Sequence, residues 1–444
     1  MRTTSLAPAL VCVTTVAVAC LVALPSAESA SAAPRAAIGN PVEGNQGFGT
    51  IVEHDALLGS TETEGTVAMG GDLSFGPGYN VAIHTPGTFT DTGDARPTAL
   101  LVNGRVNTAD SAPDGVLRVE NGGYVKIGDP TGVSFLDRDS NGAAVSTRVV
   151  PADAGYDATP RIELTTGQPS ASVAPHPDLI DFPSLFTTYR GRAAAMDACA
   201  TNVTLDDAQG APLDPQSGLA DGTQAYVTLT PGQTNVLHIT GDDLNRLSVL
   251  TFRNQPSADT PFVVVVDTTG TGGDYSWQSV QLAGVSGPQA PYMLWDFPDA
   301  TSIDMVSGDS LEGTVYAPGA DFTDLDSSNI EGDIVVRSLK AGPIDGNGGY
   351  VNAGEIHDFP FDGDINCGTA PTTPPTTTTD TPVTPTTPPT TVPTTPPTTP
   401  PTTSPTTPPT TPPTTSPTMP PTTPPTASPT SCPPSDKPTS GYGH

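Results

Sequence analysis

The chain has 444 residues, with 47 Asp and Glu against 16 Lys and Arg, for a formal net charge of −31. A surface this acidic repels nucleic acid and anionic lipid, which sets both aside as partners. The five cysteines form no C-x-x-C pair and no Cys/His cluster, so nothing points to a zinc site.

Residues 1–33 read as an export signal. Arg2 precedes an apolar run from Leu6 to Leu24, and small residues follow with A-x-A spacing at Ala30-Ser31-Ala32. A lipobox reading of Ala17-Val18-Ala19-Cys20 is the weaker alternative, because Cys20 sits inside the apolar run instead of after it. The expectation is an extracellular protein, secreted or cell-wall associated, with no transmembrane segment in the mature chain. Three cysteines then remain. One disulfide and one spare thiol follow, with Cys199–Cys367 the first choice because both lie in the folded part. Cys367–Cys432 is the rival pairing.

From about Ala36 to Cys367 short β-branched runs alternate with Gly, Asp, Asn and Thr. Gly65–Met69, Ala99–Val102, Gly115–Val119, Tyr124–Ile127, Ala225–Leu229, Val236–Ile239, Pro261–Val266, Gly313–Ala317 and Gly332–Val336 are of this kind. Strands this short, bounded by Gly-Gly, Gly-Asp and Asn-Gly, predict an all-β body. Stacked strands with tight corners fit an irregular β-solenoid; a sandwich fits less well. No strict repeat period is present.

One segment breaks the pattern. Asp181 can cap a helix with Pro183 in its first turn. Phe182, Leu185, Phe186, Tyr189, Ala193 and Met196 then recur at three- and four-residue spacing. This predicts one lateral amphipathic helix over about 182–199, packed on apolar surface or a sheet edge.

Motifs with chemistry are few. Asp137, Asp139 and Asn141 with Gly142 match the opening of a calcium loop, D-x-D-x-N-G. Arg148 stands where an EF-hand needs its bidentate Glu, so the readings are a simpler calcium loop or an Asx-rich hairpin turn, the latter favoured. Calcium is the one cofactor this sequence raises. Asp321, Asp324 and Asp326 read as a polar corner between strands. Glu355 and His357 can be drawn as an acid/base pair, but Phe359-Pro360-Phe361 follows at once, which predicts a closing strand packed into the core. No G-x-S-x-G elbow or H-x-x-x-H spacing occurs, and no catalytic residue is assigned.

Within residues 369–444, the sequence from Pro371 to about Pro434 cycles through Pro-Thr-Thr-Pro-Pro. With almost nothing apolar to bury, this composition predicts a disordered stalk. About 60 residues in polyproline II, at about 3.1 Å each, reach on the order of 190 Å. No LPxTG-like motif or final apolar helix is found, so the anchoring mode stays open.

Several phrases stand in one order. They are Asn40-Pro41-Val42, Gly47–Val52, Thr63–Asp72, the Ile180-Asp181-Phe182 helix start, Trp295–Thr301, Gly313–Ala320, Asn329–Val336 and Gly354–Phe361. Over about 40–363 the chain resembles the choice-of-anchor A family of bacterial exported proteins, described as an adhesive or collagen-binding-type domain. The resemblance implies an ice-binding-like β-solenoid with an accompanying helix, and a surface adhesive role. The leading expectation is an adhesin-like, non-enzymatic module that meets a matrix protein, glycan or cell surface. A carbohydrate-active β-helix enzyme and a structural envelope component are the alternatives. Ice binding needs regular Thr-x-Thr ladders, and Thr228-Leu229-Thr230 alone does not make one.

Overall fold

The computed structural model describes residues 38–213 and 218–367. The expected export segment 1–33, the expected stalk 369–444 and Cys432 lie outside the described residues.

The described chain is mostly β, and its strands recur in circuits of three. One circuit runs through Thr50–Val52, Ala56–Leu58 and Glu62–Thr63; the next runs through Val67–Met69, Leu73–Phe75 and Gly78–Val81. Each strand pairs in parallel with its counterpart one circuit on, so Ile51 meets Ala68, Leu57 meets Ser74 and Thr63 meets Val81. The pattern recurs through Phe262–Asp267, Asp274–Ser279 and Gln281–Ala283, then Met293–Asp296, Ser302–Gly308 and Leu311–Glu312. Three ladders result, named first, second and third in the order the chain visits them. Thr314–Asp324 and Ile334–Ala341 run through both the first and the second, which joins those two into a 13-stranded sheet. The third comprises sheets of nine and three strands. Among the named strands that are described, the exceptions to parallel pairing are the antiparallel hairpin Val133–Arg138 with Ala144–Pro151 and its junction to Arg161–Leu164. This is not the antiparallel pairing of a sandwich.

The circuits do not stack in chain order. Ile334–Ala341 lies between Thr314–Asp324 on one side and Thr50–Val52 on the other, so the N-terminal circuits continue a stack begun by the C-terminal ones. Glycines permit the tight corners. Gly342, Gly59, Gly76 and Gly115 form a column between the second and third ladders. A Cβ on Gly59 would run into the Gly342 carbonyl, and one on Gly76 into the Gly59 carbonyl. Any side chain there would wedge two circuits apart.

Two cores follow from the alternation of side chains. Inside the circuits, Val52, Met69, Val102, Val264, Trp277, Trp295, Phe322 and Leu339 are all buried, and the Trp277 and Trp295 rings lie 6.0 Å apart. Outside the first ladder, Ile51, Ala68, Leu101, Val263, Leu294, Tyr316 and Val335 form a second apolar layer. First-ladder strands such as Phe262–Asp267 are therefore buried on both sides, which explains their unbroken valine runs.

The helix Phe182–Asp197 covers that second layer with Phe182, Phe186, Tyr189, Ala193 and Met196, while Leu185 is only half-buried. Asp181 caps it, its Oδ1 accepting from the Ser184 N–H at 3.1 Å. The helix thus lies on a sheet face and not along an edge. Arg190 fixes it by donating to both Glu53 carboxylate oxygens at 2.6 and 3.1 Å, and Arg192 by donating to the Pro41 and Glu43 carbonyls.

Both ends of the first ladder are capped by side chains. At one end the Gln168 amide imitates a strand: Val125 N–H donates to its Oε1 at 2.9 Å and its Nε2 donates to the Val125 carbonyl at 2.8 Å. At the other end Val236 N–H donates to Asn202 Oδ1 at 2.7 Å, and the Asn202 N–H donates to the Val236 carbonyl. Capping removes the open edges on which parallel sheets add further chains. Gln168→Ala leaves the buried Val125 amide unpaired. We expect it to lower unfolding free energy by about 2 kcal/mol and to promote self-association, read by denaturant titration and light scattering. A variant that keeps wild-type stability and stays monomeric contradicts the capping role.

Candidate functional site

The helix covers the first ladder, and among the described residues the outer side of the second is an uncovered sheet face. Along Asp274–Ser279 burial alternates: Tyr275 and Trp277 point inward, while Asp274, Ser276 and Gln278 are exposed. Register carries this alternation across six strands. One outward row is Ser276, Asp304, Thr323, Lys340, Leu57 and Ser74. A second is Asp274, Ser302, Asp321 and Ser338. Neighbouring strands lie about 4.8 Å apart, so six present a face on the order of 25 Å wide, with short side chains at a fixed repeat.

This face is pre-ordered by its own polar contacts. Arg337 Nε donates to Asp321 Oδ1 at 2.7 Å, its Nη2 donates to the Thr301 carbonyl at 3.1 Å, and Ser338 Oγ donates to the same Asp321 oxygen at 2.6 Å. The Arg337 hydrogen bond holds the Asp321 carboxyl below the usual carboxylate range. Arg337 and Asp321 are therefore fixed in place on this face.

The third ladder carries a polar cluster on its outer side. His357 Nδ1 lies 2.9 Å from Glu331, and its Nε2 lies 3.0 Å from Glu355 and 3.9 Å from Glu64. Burial works against the imidazolium, but hydrogen bonds to Glu355 and Glu331 outweigh it and raise the His357 pKa above its ordinary value. Nearby Glu312 is pushed up to about 7 by burial. The expectation that Glu355–His357 packs into the core is corrected in part. Only Ile356 of that strand points inward; Glu355 and His357 face the carboxylates of adjoining circuits. Sequence spacing paired His357 with Glu355 but could not show Glu331 and Glu64, which come from positions far away in the chain.

The other sequence candidates are dispersed. Asp137, Asp139 and Asn141 lie at the hairpin tip, where Asp139 Oδ1 accepts from the Asn141 and Ala143 N–H groups at 2.8 and 2.9 Å. That oxygen closes an Asx turn. Among the described residues no group of three or more His, Cys, Asp and Glu is arranged to hold a metal ion. The polar corner expected for Asp321, Asp324 and Asp326 divides. Asp321 faces out, while Asp324 faces in between Met305 and Ala341 and is 2% exposed. Burial raises its pKa well above the ordinary value. Cys199 and Cys367 are joined, with Cα atoms 5.5 Å apart. Sequence reasoning missed Lys126, which is 1% exposed beside Asp91 and Asp94 on the helix-covered side of the first ladder. A lysine within Tyr124–Ile127, a strand otherwise buried and apolar, was the available signal.

A family model for an ice-binding-like adhesive domain matches residues 41–352. Among solved structures, an ice-binding protein from the Antarctic ascomycete Antarctomyces psychrotrophicus is similar at 15% identity, covering 74% of this chain and 99% of that one with a TM-score of 0.25. An ice-binding protein from an Antarctic biological consortium is similar at 12% identity, covering 75% and 92% with a TM-score of 0.22. Scores and identities this low say nothing about what this chain binds. No curated protein matches the chain.

Proposed function

The chain belongs to the ice-binding-like adhesive domain family, and from that premise we propose that it is an extracellular, non-enzymatic adhesin-like module whose irregular β-solenoid presents the second ladder to a repetitive surface. The observation that carries this reading is the uncovered six-strand face with its in-register rows from Ser276 to Ser74 and from Asp274 to Ser338. A face with a fixed strand repeat complements a partner that is itself periodic, such as a fibrillar matrix protein, a glycan array or a cell wall. The rows mix carboxylate, hydroxyl, ammonium and apolar groups, which suits a polar polymer better than a uniform threonine array would. The stalk expected at 369–444 would hold this face away from the cell. The capped ends at Val125 and Val236 weigh against an envelope component assembled by strand addition.

The test is binding of the full secreted chain to fibrillar collagen, immobilised glycans and whole cells. Ser276→Arg/Thr323→Arg places two bulky cations in one outward row. It is expected to weaken binding at least about tenfold, or ~1.4 kcal/mol, with thermal unfolding unchanged. Failure of the wild-type chain to bind any of the panel overturns the adhesive reading; undiminished binding by the double variant moves the site off this face.

A further inference from the structure

We propose that Lys126 and Asp94 become joined by an amide bond, a covalent staple between the end strand of the first ladder and the loop that covers it. Lys126 is 1% exposed, and its Nζ lies 2.7 Å from Asp94 Oδ2 and 2.8 Å from Asp91 Oδ2. The side chains of Asp94 and Asp91 are 6% and 15% exposed. An amine, a carboxyl acceptor and a second carboxyl thus share one water-poor pocket. The approach is close but off the hydrogen-bond direction. Lys126 Nζ and Asp94 Oδ2 are buried atoms that lack a hydrogen-bond partner despite their proximity. An ion pair left in that state is poorly compensated for its desolvation.

The two aspartates are held differently, which assigns their roles. Asp94 Oδ1 accepts from Ser172 Oγ at 2.6 Å, so the carboxyl is clamped with Oδ2 towards the amine. Asp91 is engaged at both oxygens: Oδ1 accepts from the Thr92 N–H at 2.7 Å, and Oδ2 lies 3.1 Å from His176 Nδ1 as well as beside Lys126. Asp94 is therefore the acceptor and Asp91, backed by His176, the proton carrier. The ammonium passes one proton through Asp91 to the Asp94 carboxylate, giving a neutral amine and a neutral carboxylic acid. The Nζ lone pair attacks Asp94 Cγ. The nitrogen then loses a second proton through Asp91 to the departing oxygen, which leaves as water. One C–N bond forms, one C–O bond breaks, and neither oxidant nor cofactor is needed.

Two physical terms favour the product here. Burial penalises the charged reactants more than a neutral amide, and fixed proximity replaces a bimolecular encounter, with effective molarities on the order of 10⁵ M or more. The staple would lock the loop at Asp91–Asp94 against the strand at the end of the stack.

Peptide mapping of the wild-type chain under reducing, denaturing conditions tests this directly. The expected result is a branched peptide joining Lys126 to Asp94, lighter than its two parts by one water. Lys126→Arg and Asp94→Ala should yield separate peptides, and Asp91→Ala should lose the link although both of its partners remain. Unlinked wild-type peptides overturn the proposal whatever the variants do. A link to Asp91 instead of Asp94 overturns the assignment of acceptor, and a full yield of link in Asp91→Ala overturns the proton-carrier role.

Discussion

Replacing both members of the disulfide, as Cys199→Ser/Cys367→Ser, should lower unfolding free energy by about 5 kcal/mol. The two cysteines are 168 residues apart in sequence, and the chain-entropy model gives about 5 kcal/mol for a closed loop of that length. That is a large share of the roughly 5–15 kcal/mol that holds a typical domain together. The location adds to the effect. Cys199 directly follows the helix, and Cys367 follows a C-terminal strap whose Phe361 and Ile365 pack with Val42 in the layer beneath the helix. The strap also pairs with the start of the body, where Gly39 and Ile365 form a bridge. The bond therefore ties the helix end, the first described residues and the last ones into one unit. Denaturant unfolding of the double variant should show a lower midpoint, and hydrogen exchange should show faster exchange over Phe182–Asp197 than over the inner strands. A stability within about 1 kcal/mol of wild type would show that packing alone holds the helix. The double variant leaves Cys432 without either partner, so it also removes the rival Cys367–Cys432 pairing from the comparison.

The features legible in the sequence share a cause: each is local. The helix is marked by Asp181, Pro183 and an apolar stripe, and five of the six stripe residues are buried under it. The strands are marked by β-branched runs between glycines, as at Val67–Met69 and Val116–Val119. What could not be read is what depends on partners distant in the chain. Nothing in Thr50-Ile51-Val52 says that it lies beside Ile334–Val336, because a three-residue strand holds too little pattern to specify a neighbour almost the whole domain away. The same limit hid the candidate face, since its outward rows are assembled one residue per circuit. It also misled the reading of Asp324, which looked like part of a polar corner and instead faces the core. A buried carboxyl resembles an exposed one until register is known.

Those buried carboxyls make the domain's stability fall as pH rises from about 4 to beyond 7. Burial pushes Asp333 up to about 7 from an ordinary value of 3.8. It raises Asp296 and Asp324 well above that value, and Asp296 has both oxygens buried without a hydrogen-bond partner. A carboxyl whose folded pKa is raised favours the fold fully below its unfolded pKa, and that contribution disappears as pH climbs through the folded value. For Asp333 alone the interval from 3.8 to about 7 is worth about 4 kcal/mol as an upper figure. His357 acts in the same direction, since its raised pKa adds stability at low pH that is lost as the imidazolium deprotonates. The opposing groups are Asp91, Asp129, Glu163, Asp181, Asp259 and Asp321, whose lowered values cost stability only as pH falls through the ordinary carboxylate range, about 4 and below. The optimum therefore lies on the acid side of neutrality, near pH 4–5, and the melting temperature should decrease steadily from there to pH 8. Asp333→Asn keeps an oxygen to accept the Phe361 N–H, which the native carboxylate takes at 2.9 Å, while removing the charge. It should match or exceed wild-type stability at pH 8 and flatten the slope between pH 5 and 8. A melting temperature that is constant or rises over that interval would mean these carboxyls reach water or other partners in solution. An unchanged slope in Asp333→Asn would place the pH dependence on the other raised groups, Asp296, Asp324, Glu312 and His357, which Asn variants of the aspartates and Gln variants of Glu312 and His357 then separate.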